Sequence, residues 1–360
     1  MVAYIRAMAV ERKRWLDART FSDGVALCQV IPGATAMQAA AYVGLKTRGV
    51  IGAAASFVGF GLPAFLMMMT LAALYMNNRD LPIVVSTFSG LQAVIVAIIA
   101  NAALSFGKAT LKDWRSIAIA GMAASLFALN LHPILVILFA ALAGAALVKS
   151  DQSRVHDSSP STQTQPNTKP LLLILSATAL GLLLLRLFNQ SLFNLALLMF
   201  RIDLFAFGGG FASVPLMFHE VVEVRSWVDS QTLMNGIVLG QMTPGPVVIT
   251  ATFVGYLLAG LLGGLIATIG IFLPSFVVLV AASPYFERLR TSPLFNRAIA
   301  GVLCSFVGLL ATVTIRFALN VQWDLSHVLL AAGALVALLL KVDILWVVVA
   351  ATVASMVLFA

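Results

Sequence analysis

Charge is scarce in this chain. Asp, Glu, Lys and Arg make up 10% of its 360 residues, against 61% apolar residues. A soluble domain carries about a quarter charged residues, so the composition excludes an ordinary soluble fold. Carboxylates are the scarcer sign, 14 against 22 lysines and arginines, and few fall in apolar stretches, so a cation site is poorly provided for. Only two cysteines occur, Cys28 and Cys304, both in apolar surroundings. They read as small buried hydrophobes and exclude a disulfide framework. A Walker lysine motif is lacking, so there is no sign that the chain hydrolyses ATP itself. The string His219-Glu220-Val221-Val222-Glu223 has a glutamate where a zinc protease needs its second histidine. No metal site, no cofactor and no catalytic residue is expected. Arg6, Arg12, Lys13 and Arg14 near the start flank no apolar core of signal-peptide length.

What is abundant is long apolar sequence, with a mean hydropathy of +1.01. The runs suffice for roughly ten helices of about 20 residues, and the expectation is an all-α polytopic membrane protein. The net charge of +8 then reflects basic loops facing anionic lipid on the cytoplasmic side, not nucleic-acid binding. Several runs are interrupted. Phe21–Leu45 breaks at Pro32-Gly33, Leu233–Leu258 at Pro244-Gly245-Pro246, and Ser191–Phe218 at Gly208-Gly209-Gly210 and again at Pro215. A polar stretch runs from His219 to Asp229. Residues 149–170, rich in Ser, Thr, Gln, Pro and Asn, read as a flexible polar linker.

The chain repeats itself. Glu11, Trp15, Asp17, Gln29 and Pro32-Gly33 recur as Glu223, Trp227, Asp229, Gln241 and Pro244-Gly245 at a constant offset of 212. After a one-residue gap, Gly44, Gly49, Gly52, Pro63, Phe65 and Gly90 recur as Gly255, Gly260, Gly263, Pro274, Phe276 and Gly301 at an offset of 211. Residues 1–148 form a first repeat and 171–360 a second, opened by an extra helix at Leu171–Phe188. Basic residues flank the Pro-Gly segment in the first half (Arg12, Lys13, Arg14, Arg19, Lys46, Arg48) but the following loop in the second (Arg288, Arg290, Arg297). The positive-inside rule then sets the halves in inverted orientation, with each Pro-Gly segment a re-entrant hairpin.

Inverted repeats with matched helix breaks are a secondary-transporter signature. A half-helix starting after Pro-Gly offers free amides and the positive end of its dipole, an anion site. The candidate substrate-binding set is Gln29, Pro32, Gly33, Thr35 and Gln38 from the first half, with Gly208, Gly209, Gly210, Gln241, Thr243, Pro244 and Gly245 from the second. Arg201 and Asp203, ionisable in an apolar run, are candidates for coupling or for a mutual charge pair, as are Glu11 and Glu223. Arg186 and Arg316 read as snorkelling to an interface.

These residues carry a resemblance. Phe207-Gly208-Gly209-Gly210 with Pro215, Glu223 with Trp227, Gln241 to Pro246 with Gly255, and Pro274-Ser275-Phe276 resemble the chromate ion transporter family. So do Glu11 to Leu16, Pro32-Gly33, Thr35, Gln38, Tyr42, Gly44 and Pro63. The resemblance implies efflux of chromate across the inner membrane, chromate resistance, a proton as coupling ion and sulfate as a look-alike substrate. It leaves a homodimer open and places the linker in the cytoplasm. Two departures stand out. The family's first half opens with its own Phe-Gly-Gly-Pro segment, whereas Met1 here aligns near Ser213. Ala34 replaces a second proline, which implies a softer first break. The alternatives are an importer of sulfate or another oxyanion, a membrane-embedded enzyme, and a non-transporting relic of the family.

Overall fold

The computed structural model describes residues 1–148 and 169–359, leaving out the side chains of residues 169, 170 and 287. The expected linker lies outside the described residues up to position 168. Long apolar runs form helices here because lipid offers backbone amides and carbonyls no partner beyond the segment itself. Among the described residues there is no strand.

In chain order, α1 (Val2–Arg6) runs into a π-helical turn, Ala7–Arg12. Then come α2 (Ala18–Val30), α3 (Thr35–Asn78), α4 (Pro82–Thr110), α5 (Trp114–Ala128) and α6 (Pro133–Leu147). The second half comprises α7 (Lys169–Phe188), α8 (Gln190–Phe205), α9 (Ser213–Met217), α10 (Ser230–Met242), α11 (Thr250–Ala282), α12 (Phe286–Thr291), α13 (Pro293–Asn320), α14 (Leu325–Leu339) and α15 (Ile344–Leu358). The 3₁₀ turn Gly210–Ala212 leads into α9, the π-helical stretch Phe218–Val224 follows it, and the 3₁₀ turn Val247–Ile249 precedes α11.

The Pro-Gly segments are hairpins. A Cβ on Gly24 would meet the Tyr42 ring at 2.2 Å, and one on Gly236 the Phe253 ring at 2.4 Å. Residues about equally far before and after each break touch, so α2 and α10 enter and the chain returns beside them. A second reversal follows inside α3 and α11. Arg48 and Gly49 (φ −138° and +63°) leave the helical region, as do Ala259 and Gly260 (φ −149° and +59°). Gly44 packs on the carbonyl of Gly52, and Gly255 on that of Gly263. After the reversal, residues 50–78 and 261–282 form long helical arms. A third hairpin closes at Gly208–Gly210. Arg201 lies 3.8 Å from Glu220, whereas an unbroken helix would separate the two by roughly 28 Å.

The halves are inverted. On the long arms Phe57 packs on Phe276, with ring centroids 5.3 Å apart, and Met69 packs on Gly264. Later residues of one arm meet earlier residues of the other, so the arms run antiparallel. Local geometry repeats at the sequence offsets. Positive φ occurs at Arg14 and Ser226 (49° and 50°) and at Asn130 and Lys341 (62° and 65°). Asp17 and Asp229 cap α2 and α10, and Asp113 and Asp324 cap α5 and α14, each accepting an N–H from three residues on.

Each half completes the other. The α13 helix packs on α5 and α6, and α4 packs on α14 and α15. Small residues bring these backbones together: Gly308 against the Ala120 carbonyl, Gly301 against Gly144, Gly90 against Ser355. One apolar core runs from Leu27 to Ala351 through both halves. Matched positions differ in what they touch. The α8 helix lies against Gly270 of α11, whereas the equivalent Gly59 on α3 meets nothing within 4 Å among the described residues.

One expectation changes. Pro215 does not break the chain; it sits in the first turn of α9, where its missing N–H has no helical acceptor to lose. The polar stretch from His219 opens as the π-helical stretch Phe218–Val224, which repeats the π-helical turn Ala7–Arg12 of the first half.

Candidate functional site

The first break, Ile31 to Ala34, is buried. Gly33 has φ +111°, and a Cβ there would lie 1.7 Å from Ser275 Oγ, so only glycine fits. Its N–H donates to the Ala206 carbonyl at 2.9 Å, and the Ala34 N–H donates to Ser275 Oγ at 3.3 Å. Gln38 is fully buried and folds back, its Nε2 donating to the Pro32 carbonyl at 2.6 Å and to the Ser275 carbonyl at 3.3 Å. Despite Ala34, this break is as complete as the second. The residue leaves the helical region (φ −79°, ψ 92°) and α3 starts afresh at Thr35.

The second break mirrors the first. Where Gly33 packs on Ser275, the equivalent Gly245 packs on Ala64, the counterpart of Ser275. Each break thus rests on the long arm of the opposite half. Between the two restarted helices lies the glycine turn. A Cβ on Gly209 would come 3.5 Å from Thr35 Oγ1, at the start of α3. A Cβ on Gly210 would come 3.3 Å from the Val247 amide nitrogen, at the restart after Pro246. Gly208 and Gly209 both take positive φ, 94° and 97°. The amino-terminal ends of α3 and of the Val247–Ile249 turn therefore approach adjacent residues of one glycine turn, and the first amides of each have no carbonyl one turn back.

The other residues singled out from the sequence are placed as follows. Pro32, Gly33, Thr35 and Gln38 lie together at the first break, with Gly208–Gly210 beside them. Thr243 turns its hydroxyl back to the Gly240 carbonyl. Pro244 and Gln29 are exposed. Gln241 keeps a buried Nε2 without a partner among the described residues. Glu11 is exposed and has no ion pair among them. Arg201 and Asp203 do not pair with each other, since residues two apart on a helix face different ways. Arg201 turns to Glu220, and Asp203 turns to the Ser275 N–H and Oγ–H, which donate to its Oδ2 at 2.8 and 2.6 Å.

Sequence reasoning missed a charged cluster nearby. Glu220 accepts from Arg225 and stands 2.9 Å from His132 Nε2. Glu223 accepts from Arg316 and stands 2.9 Å from His219 Nδ1. Arg316 also donates to the Phe127 carbonyl and to Asn130 Oδ1, at 2.9 and 3.0 Å. It does not snorkel, because its guanidinium lies over the Phe127 ring in a site only 16% exposed. The overlooked signal was His132, an imidazole between two apolar helices. The cluster ties the second half's π-helical stretch to the first half's α5–α6 turn. A cleft of about 330 Å³ between the long arms is lined by Phe57, Leu62, Phe65, Phe272 and similar side chains. Its walls are too apolar to hold a dianion.

The family described as Chromate transporter matches residues 1–145 and 193–356. An uncharacterized transporter of Methanocaldococcus jannaschii is 41% identical over 348 residues, 96% of this chain and 87% of that protein. A chromate transport protein of Cupriavidus metallidurans is 29% identical over 341 residues, 95% and 83% of the two chains. A probable chromate transport protein of Synechococcus elongatus is 28% identical over 339 residues, 93% and 84%. No solved structure matches. With its matched regions falling on the two inverted halves, this multi-pass membrane protein belongs to the chromate transporter family.

Proposed function

We propose that the chain is a secondary transporter of chromate or a closely related tetrahedral oxyanion, acting as an exporter in the inner membrane. The observation that carries this reading is the approach of two helix starts, Thr35 and Val247, to the adjacent residues Gly209 and Gly210. Free amides and dipole ends there favour a small anion without a lysine or arginine in contact. Thr35 and the glycine turn would touch the substrate, and Gln38 and Ser275 would hold the first break in shape. Pairing of the inverted halves about this point supplies the two arrangements that alternating access requires. A site of amides reads charge and size, so sulfate competes with chromate. The electrical part of the proton-motive force drives a dianion outward, by about 2.3 kcal/mol per charge per 100 mV.

The test is uptake of labelled chromate into everted membrane vesicles. A Pro244→Ala, Gly245→Leu double variant is expected to lose at least nine-tenths of the uptake; uptake equal to wild type removes this site. In intact cells, expression lowers chromate accumulation if export is the direction, and raises sulfate accumulation if the chain is an importer.

A further inference from the structure

The first break holds a buried carboxylate. Asp203 is 0% exposed. Its Oδ2 takes two hydrogen bonds from Ser275, while its Oδ1 has no partner among the described residues. Beside it Gln38, joined to the same serine, has an Oε1 that is likewise buried and unpartnered. Among the described residues no cation pairs with the carboxylate. Arg201, two residues back on α8, is engaged with Glu220. What α11 and the first break bring to it, Ser275, Gly33, Ala34 and Gln38, is uncharged. At the pseudo-symmetric position Ala64 replaces Ser275, so the hydroxyl partner is missing there.

A buried carboxylate with half its acceptor capacity idle and no counter-charge is costly to keep ionised. A dianion drawn to the Thr35 end of α3 would raise that cost further. Resting on the oxyanion reading above, we infer that Asp203 takes up a proton on Oδ1 when the anion binds, so that dianion and proton occupy the site together. The proton comes from the water that admits the anion. No covalent bond of the substrate changes. The complex carries one net negative charge, and the inside-negative potential still drives it outward while the pH gradient opposes. Because the linkage is reciprocal, bound anion raises Asp203's affinity for the proton as the proton raises the site's affinity for the anion.

Two measurements on the full chain in lipid vesicles test this. The first is infrared titration of the carboxylic-acid C=O band, wild type against Asp203→Asn. Wild type is expected to show a titrating band that the variant lacks, with its midpoint moved to higher pH by excess sulfate, an anion whose own charge stays fixed. The second is counterflow of labelled sulfate and chromate. Wild-type sulfate exchange is expected to rise at least threefold from alkaline to mildly acidic pH, and that of Asp203→Asn to be flat. Ser275→Ala, which keeps the carboxylate but removes a donor to its ionised form, moves the wild-type midpoint upward, and it serves if Asp203→Asn does not fold. Absence of the band, or a wild-type slope preserved in Asp203→Asn, overturns the proposal. So does a sulfate-insensitive midpoint in vesicles that exchange anion. A titrating band in vesicles that exchange neither anion supports the proton site and sinks the oxyanion reading instead.

Discussion

Gly33 and Gly59 show how differently one residue type is used in this chain. At Gly33 a methyl group would collide with Ser275 Oγ, and the backbone has φ +111°. Gly33→Ala should destabilise the protein by about 1–3 kcal/mol through strain alone, with more from the collision. Gly59→Ala meets open space in a regular helix and should be neutral or stabilise by about 0.5–1 kcal/mol. Thermal unfolding in detergent ranks the two. Glu220 tests the buried cluster. With a side chain only 6% exposed against the partly exposed Arg201, Arg225 and His132, Glu220→Gln should cost about 1–2 kcal/mol through the loss of charge-assisted hydrogen bonds, since the partners can turn to water. The pairings of Gly33 with Gly245 and Glu11 with Glu223 were legible from spacing. What those residues touch was not. Ser275 lies 72 positions from Asp203 and 241 from Ala34, and no local pattern encodes such contacts. Glu11 and Glu223 occupy matched positions, yet only Glu223 gains an arginine, because Arg316 stands where the first half has Ser105.

Helix ends and reversals were easier to foresee than the course of the chain between them. Pro-Gly fixed both hairpin tips. The turn at Gly49 was marked by Lys46 and Arg48, which end the run Phe21–Leu45, whereas the turn at Gly260 has apolar sequence on both sides and was marked by its repeat of Gly49. Both glycines face open space, so substitution there tests conformation without collision. Gly49→Ala and Gly260→Ala should each cost about 1–2 kcal/mol, and asparagine, more tolerant of that region, should cost less. Capping adds a pH signature outside the membrane. The hydroxyl and N–H of Ser116 hold the Asp113 carboxyl below its ordinary value. That cap's stabilisation is therefore complete above the ordinary carboxylate range and is lost as pH falls through the lowered value. Asp113→Ala should remove about 1 kcal/mol near neutrality, and the difference from wild type should vanish in strong acid.

For the whole molecule, inversion makes a topological prediction. Asp80 and Thr291 occupy equivalent turns, and the native thiols Cys28 and Cys304 are buried. Single cysteines at 80 and 291 should react with an impermeant maleimide from opposite sides of the membrane; labelling from one side alone would contradict the antiparallel arms. That the chain is two related halves was plain from the offsets of 212 and 211. That neither half closes on itself was not, since the long helix of each packs on the final helix pair of the other.

The tie between Gly33 and the arm that carries Ser275 also bears on how the protein is made. The tip of the first hairpin has its partners at Ala206, 173 residues after Gly33, and at Ser275, 241 residues after Ala34, so both leave the ribosome well after it. At about 5–20 residues per second the delay is roughly 10–50 s. Throughout that interval the nascent hairpin has bare polar groups at the depth where lipid satisfies none. Insertion of the first half must therefore be provisional, and quality-control proteases have a window in which to remove chains whose translation stalls between the halves.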